Sequence, residues 1–250
     1  MKIIALLAAV AVLAGCSGGK GNDSAKADAG PPAPIAAPNG GDWTQTVTKT
    51  SEGGMLMGNP NAKVKVVEFS SMTCPHCAHF SENGTPKLVA QYVKTGQVSF
   101  ELRNFVRDPL DIAMALVTRC AGASAQFFTL TDAMYKDQTA MFERVQAVPQ
   151  ATLQGLASLP PAQQFQRYAD YAGLPAFAAQ HGLPSAKTSQ CLANAAETQQ
   201  LVAMNSDAVS NYQIEGTPTF LINNRVQQMP GIAEDKVWDT LEQRIKDALA

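Results

Sequence analysis

The stretch Ser71-Met72-Thr73-Cys74-Pro75-His76-Cys77 decides how the rest of the chain is read. It follows Val64-Lys65-Val66-Val67-Glu68-Phe69, an apolar run rich in β-branched residues that predicts a buried strand. A helical segment from Ala78 towards Lys94 comes after it. Two cysteines two residues apart, at a strand-to-helix junction, are placed for thiol–disulfide chemistry. A cysteine at the first turn of a helix faces unpaired backbone N–H groups and the positive end of the helix dipole, and both favour the thiolate. The thiolate is the species that attacks a disulfide. Cys74 takes that place. Pro75 suits a first helical position, where its missing N–H loses nothing. Cys77, about one turn further on, can close a small ring with Cys74 and release a bound partner. His76 adds a polar or cationic group beside the sulfur. Stabilising the thiolate stabilises the dithiol, which makes the disulfide a stronger oxidant.

A CxxC is also half of a zinc site, but zinc needs about four ligands. The chain has no second CxxC and no HxxxH, and its three histidines, His76, His79 and His181, complete no familiar spacing. No metal is expected.

Strand, Cys74-Pro75-His76-Cys77, helix and a distant Gly216-Thr217-Pro218-Thr219-Phe220, in this order, resemble the DsbA-like branch of the thioredoxin superfamily. The similarity runs from about Met55 to the C-terminus. It implies an α/β thioredoxin fold, residues 42–108 and 213–250, with a helical domain inserted at 109–212. It implies a thiol:disulfide oxidoreductase whose redox centre is the Cys74–Cys77 pair itself, with no other cofactor. In that family the proline at the place of Pro218 is cis and sits against the active-site disulfide. The backbone of the residue before it, here Thr217, pairs with a substrate peptide as a short added strand. A buried acid at the place of Glu68 lies beneath the resolving cysteine and moves protons, work that a raised pKa suits. On the residues alone, Glu68 also fits a solvent-facing edge position, and Pro218 a plain strand-edge device.

The chain starts with a targeting pattern. Lys2 and the apolar run from Ile3 to Leu13 are too short for an ordinary membrane span, and Leu13-Ala14-Gly15-Cys16 resembles the bacterial lipobox. Residues 1–16 are thus read as a lipoprotein signal with Cys16 lipidated; a plain secretory signal cleaved near Gly15, or a short anchor, is the alternative. Either way the chain is exported to where disulfides persist, on the periplasmic side of the envelope. Ser17 after the cysteine resembles the pattern sent to the outer membrane. Residues 17–41, rich in Gly, Ser, Ala, Pro, Lys and Asp, read as a disordered tether.

The formal charge of −2, with no basic stripe, makes nucleic acid an unsuitable partner. Trp43 to Thr50 alternates loosely as an edge strand, Gly53-Gly54 and Gly58-Asn59-Pro60-Asn61 are turns, and Val98 to Val106 alternates strongly as a strand. A helix between the strands at Val64 and Val98 makes them a parallel, right-handed pair. Gly84 and Pro86 predict a bend in that helix. Helical stretches are expected near 125–136, 140–157, 161–172, 175–181 and 188–212. Asn223-Asn224 is a hairpin turn, and Val237, Leu241, Ile245 and Leu249 mark a final amphipathic helix. With Cys16 lipidated and Cys74 paired with Cys77, Cys120 and Cys191 are left as a structural disulfide, because exported proteins seldom keep stray thiols; two buried thiols are the alternative.

The resemblance points first to a dithiol oxidase that donates the Cys74–Cys77 disulfide to reduced or unfolded exported proteins, reoxidised by a DsbB-type membrane partner. Thr217 motivates a second reading, an isomerase or a reductase kept reduced by a membrane donor, because Thr before the cis proline also occurs in isomerases. A tethered chaperone-like module that holds unfolded chains is the third.

Overall fold

The computed structural model describes residues 33–250. The signal pattern, Cys16 and most of the tether lie outside the described residues. The end of the stretch read as tether lies against the domain instead of running free to Gly41. Ile35 N–H donates to the Thr95 carbonyl at 2.8 Å, the Gln97 amide donates to the Ala33 carbonyl, and Trp43 Nε1 donates to the Ile35 carbonyl at 2.7 Å.

Six strands form one mixed sheet: β1 Val47–Lys49, β2 Met55–Gly58, β3 Val64–Ser70, β4 Val98–Asn104, β5 Thr219–Ile222 and β6 Arg225–Val226. Their spatial order is β1-β2-β4-β3-β5-β6. β3 and β4 are parallel, with Val66 opposite Phe100 and Glu68 opposite Leu102. The other pairings are antiparallel. The parallel pair at the centre requires a helical crossover, and α1 Pro75–Asn83, α2 Thr85–Leu88 and a π turn over Val89–Val93 supply it. Gly84 separates the first two, so the crossover bends where Gly84 and Pro86 stand.

Strand alternation sorts β3 between two layers. Val64 and Val66 pack with Phe80, Leu88 and the C-terminal helix α11 (numbered last, Val237–Leu249). Val67 and Phe69 point the other way, into a cluster with Ala208, Ile214 and Leu221. Glu68 shares the parity of Val66 and so faces the crossover layer, buried at 2% exposure; the edge-strand reading of Glu68 fails because β3 is central.

Between β4 and β5 the chain is helical: α3 Pro109–Arg119, α4 Ala125–Lys136, α5 Gln138–Gln146, α6 Gln150–Gly155, α7 Pro161–Ala172, α8 Leu174–Gln180, α9 Ser185–Leu192 and α10 Ala195–Tyr212. This is a thioredoxin fold with a helical insertion. Asn194 splits the stretch expected as one helix at 188–212, because its side chain accepts from the Ala196 and Glu197 N–H groups and caps α10. The insertion's core includes Leu110, Met114, Leu130, Met134 and Met141, and it takes in Met72, Cys74 and Cys77. The motif therefore sits at the seam between insertion and sheet. Cys120 and Cys191 are bonded to each other, with an S–S distance of 2.00 Å, joining α3 to α9.

Two strand readings differ. The strand expected to reach Val106 stops at Asn104, since the Val106 backbone pairs with the Asn205 side chain in place of a strand. The returning strand after Asn223-Asn224 is only Arg225–Val226. Both turn residues have positive φ, 48° and 63°, the geometry of a tight hairpin that asparagine tolerates. Among the described residues no helix is long and apolar enough to cross a membrane.

Candidate active site

The site forms where β3 ends. Ser71-Met72-Thr73 leads from the strand, Cys74 caps α1 with extended backbone (φ −94°, ψ 118°), and Pro75 occupies the first helical position. Cys74 makes no side-chain cap hydrogen bond, and its sulfur lies at the positive end of the α1 dipole. Cys77 lies one turn on, fully buried, while Cys74 is 3% exposed. Both are present as thiols.

Opposite them stands the loop after α10. The Thr217–Pro218 peptide is cis, and the Thr217 carbonyl accepts from Cys74 Sγ at 3.2 Å. The Cys74–Cys77 pair and the Thr217–Pro218 pair, more than a hundred residues apart in sequence, are thus brought to one place.

Ionisation is divided between the sulfurs. The Cys74 thiol is pulled down to about 5, chiefly by a hydrogen bond from the Cys77 thiol, then by one from Thr217 and by the backbone N–H groups of Cys77 and His76; burial opposes them. Burial pushes Cys77 well up, and the charges of Glu68 and Cys74 add to this. Cys74 is the sulfur of the pair that ionises more readily, and Cys77 keeps its proton. Burial also raises Glu68 to about 8, with the Ser70 hydroxyl working against it and the Cys74 charge adding to it. Glu68 lines a cavity of about 500 Å³ between the α1–α2 bend and α4, together with Thr131 and Tyr135.

His76 lies outside this buried group. Its Nδ1 is 2.7 Å from Glu234 Oε1, and that hydrogen bond raises its pKa, with the Cys74 charge contributing.

Four residues of the insertion and its approach hold the loop before Cys74, and none stands out in the sequence. Asp111, wholly buried, accepts from Ser71 Oγ at 2.6 Å, from the Met72 N–H at 2.8 Å and from the Arg107 N–H at 3.0 Å. Arg107 donates to Ser71 Oγ and Thr73 Oγ1, each at 2.9 Å. Gln138 donates to the carbonyls of Met72 and Cys74 at 2.8 and 3.2 Å. The Tyr135 hydroxyl meets Ser70 Oγ at 2.6 Å and the Ser71 carbonyl at 3.2 Å. Asp108-Pro109 announces a helix start, and Asp111 reads as the usual acid of a first turn; nothing local shows that it reaches back to residue 71. Among the described residues no group of three or more His, Cys, Asp or Glu is arranged to hold a metal ion.

A family model described as thioredoxin matches residues 50–247. A solved structure of a protein-disulfide isomerase from Novosphingobium aromaticivorans is 33% identical, covers 78% of this chain and 96% of that one, and superposes with a TM-score of 0.70. Wolbachia pipientis alpha-DsbA1, 21% identical over 78% of this chain and 90% of its own, has the same fold at a TM-score of 0.59. A Rickettsia conorii protein named as a protein-disulfide oxidoreductase is 26% identical over 70% of this chain and 55% of its own. The chain spans 35% to 55% of the length of the curated relatives it matches. Cys74-Pro75-His76-Cys77 at the tip of α1, facing a cis proline across the seam, is the arrangement that fits these likenesses: the chain belongs to the thioredoxin family and has the fold of the DsbA-like proteins.

Proposed function

We propose that the protein is a dithiol oxidase of exported proteins. A substrate thiolate attacks Cys74 Sγ of the oxidised pair. The Cys74–Cys77 bond breaks, its electron pair leaves on Cys77, and a proton from the Glu68 carboxyl neutralises that sulfur. A second substrate thiolate then attacks the substrate sulfur of the mixed disulfide, and Cys74 departs as a thiolate. Two substrate thiols have become a disulfide, and the pair is left reduced. A membrane oxidant of the DsbB type accepts those electrons. The cysteine pair is the whole redox centre.

The observation that carries this reading is the stabilised Cys74 sulfur at the tip of α1. A sulfur that ionises easily leaves easily, so the mixed disulfide resolves towards oxidised substrate. Thr217 and Pro218 receive the substrate's backbone. Cys16 anchors the chain to the periplasmic face of an envelope membrane, the outer one by its Ser17. Labelled palmitate should enter the wild-type chain and not Cys16→Ser, and fractionation then locates it.

The reduction potential against glutathione tests the direction. A value well above that of thioredoxin, about −270 mV, and a pair trapped mostly oxidised in cells support the oxidase. A thioredoxin-like value and a mostly reduced pair favour an isomerase or reductase, the reading that Thr217 and the likeness to the Novosphingobium protein-disulfide isomerase support. A chaperone-like module would keep its activity in Cys74→Ser.

A further inference from the structure

The histidine of the motif has a partner that thiol exchange, as described so far, does not use. His76 Nδ1 lies 2.7 Å from Glu234 Oε1, and His79 Nδ1 lies 3.9 Å from the same oxygen. Three residues apart on α1, the two histidines share a face. Glu234 comes from 158 residues further along the chain. It opens a single 3-10 turn, Glu234–Lys236, that leads into α11. Lys87, Asp235 and Trp238 close a small cavity of about 140 Å³ around it and His79.

A carboxylate bonded to one imidazole nitrogen favours the protonated ring and fixes its orientation. The neighbouring charges leave this pairing intact. Cys74 and His79 stand on α1, Lys87 on α2, and Asp235 and Lys236 in the turn. Lys236 is engaged by Asp239 at 3.3 Å and Asp235 at 3.9 Å. Glu234 thus has the two histidines as its ion-pair partners.

We propose that Glu234 is a positioning residue for thiol exchange: it holds His76 as an oriented imidazolium through neutral pH, so that a positive charge still stands beside the Cys74 thiolate there. This rests on the thiol-exchange reading of Cys74 and deepens it. His76 is 68% exposed and Glu234 43%, so solvent keeps the coupling modest. Glu234 also carries a negative charge of its own, which opposes the thiolate. The two effects have opposite signs and separate cleanly in a double-substitution cycle.

The cycle uses the full chain with Glu234→Gln, His76→Phe and both, with Glu234→Asp as the conservative control. The His76 pKa is read by NMR in the dithiol form, and the equilibrium with glutathione is measured at pH 5.5 and 7.5. Glu234→Gln should lower the His76 pKa, since the Glu234 hydrogen bond is the main cause of its rise. It should shift the glutathione equilibrium about twofold towards the disulfide at pH 7.5. At pH 5.5, where His76 is charged in both proteins, only the loss of Glu234's own charge is left, and the equilibrium should move slightly the other way, towards the dithiol. Glu234→Asp should restore part of the effect, and in His76→Phe the shift towards the disulfide should vanish, leaving only the small opposite effect of Glu234's own charge. An unmoved His76 pKa, an equal shift at both pH values, or an equal shift without His76 overturns the proposal. Cys74→Ser, assayed alongside, tests thiol exchange separately: retained exchange sinks that reading whatever Glu234 does.

Discussion

Cys74 Sγ lies 3.2 Å from the Thr217 carbonyl oxygen, a contact between residues 143 apart in sequence. One partner caps a helix and the other precedes a cis proline. In the proposed function, their closeness would place a substrate's sulfur and its backbone side by side. A peptide that pairs with the Thr217 backbone presents its cysteine to Cys74 without a pocket shaped to any one side chain.

The divided sulfurs give the first prediction. Alkylation of the reduced pair should titrate with a midpoint near 5, at Cys74 alone, while Cys77 stays unmodified up to high pH. The lowered Cys74 pKa also stabilises the reduced fold. That contribution is complete above the ordinary thiol value, partial at pH 7, and lost as pH falls through 5. The reduced form should therefore lose stability relative to Cys74→Ser between pH 7 and 4. The expected size is on the order of 1 kcal/mol after solvent screening. Melting curves across that range check it, and parallel curves would refute it.

Glu68 has the opposite sign. Its pKa is raised to about 8, so the folded state prefers it protonated. Its effect on stability is neutral below the ordinary carboxyl value, and it destabilises as pH climbs to 8 and beyond. Glu68→Gln should then be more stable than wild type at pH 8, by about 2 kcal/mol, and equal to it at pH 4. The same variant cannot give Cys77 a proton, so reduction of the disulfide by a model dithiol should slow by at least about tenfold. Urea titrations at both pH values and stopped-flow fluorescence separate the two effects.

Most of what could be read from residues alone was local; the parallel β3–β4 pair came from the helix between the strands, and the Cys120–Cys191 bond from the cysteines left over. Cys74-Pro75-His76-Cys77 carries its helix start in the proline, Asn223-Asn224 carries its hairpin in two residues that tolerate positive φ, and α11 carries its period in Val237, Leu241, Ile245 and Leu249. β2 escaped because Met55-Leu56-Met57-Gly58 has no β-branched residue and is hemmed by glycines, although β4 pairs with it along its whole length. Asp111, Gln138 and Glu234 escaped for a different reason. Each serves the site through contacts 39, 66 and 158 residues away, and ordinary surface roles explain their identity equally well until the fold brings them in.

Asp111 yields the third prediction. It is buried, its pKa is raised to about 6 by that burial, and it accepts three hydrogen bonds that fix the approach to Cys74. Asp111→Ala leaves the Ser71 hydroxyl and two N–H groups seeking other partners, a cost of about 3 kcal/mol. Asp111→Asn keeps the shape and one acceptor, and should cost about half as much. Hydrogen exchange at Met72 should quicken in both variants. Unchanged protection there would mean that the clamp does not hold the loop.

The Cys120–Cys191 bond gives the last. It joins α3 to α9 across a sequence separation of 71, and neither sulfur belongs to the redox pair. In the chain-entropy view, a loop of that length restrains the unfolded chain by up to roughly 4 kcal/mol. The pair Cys120→Ala and Cys191→Ala should therefore lower stability by about 2–4 kcal/mol. Neighbouring contacts survive: Arg119 Nε still reaches Glu197 Oε2 at 2.7 Å and keeps α3 against α10. Because α10 leads into the Thr217 loop, that ion pair should preserve the site's geometry, and the Cys74 alkylation midpoint should stay where it is. Urea unfolding gives the first quantity and the pH profile of alkylation the second. A midpoint that rises with the loss of the disulfide would show that the insertion's own bond sets the reactivity of the distant cysteine.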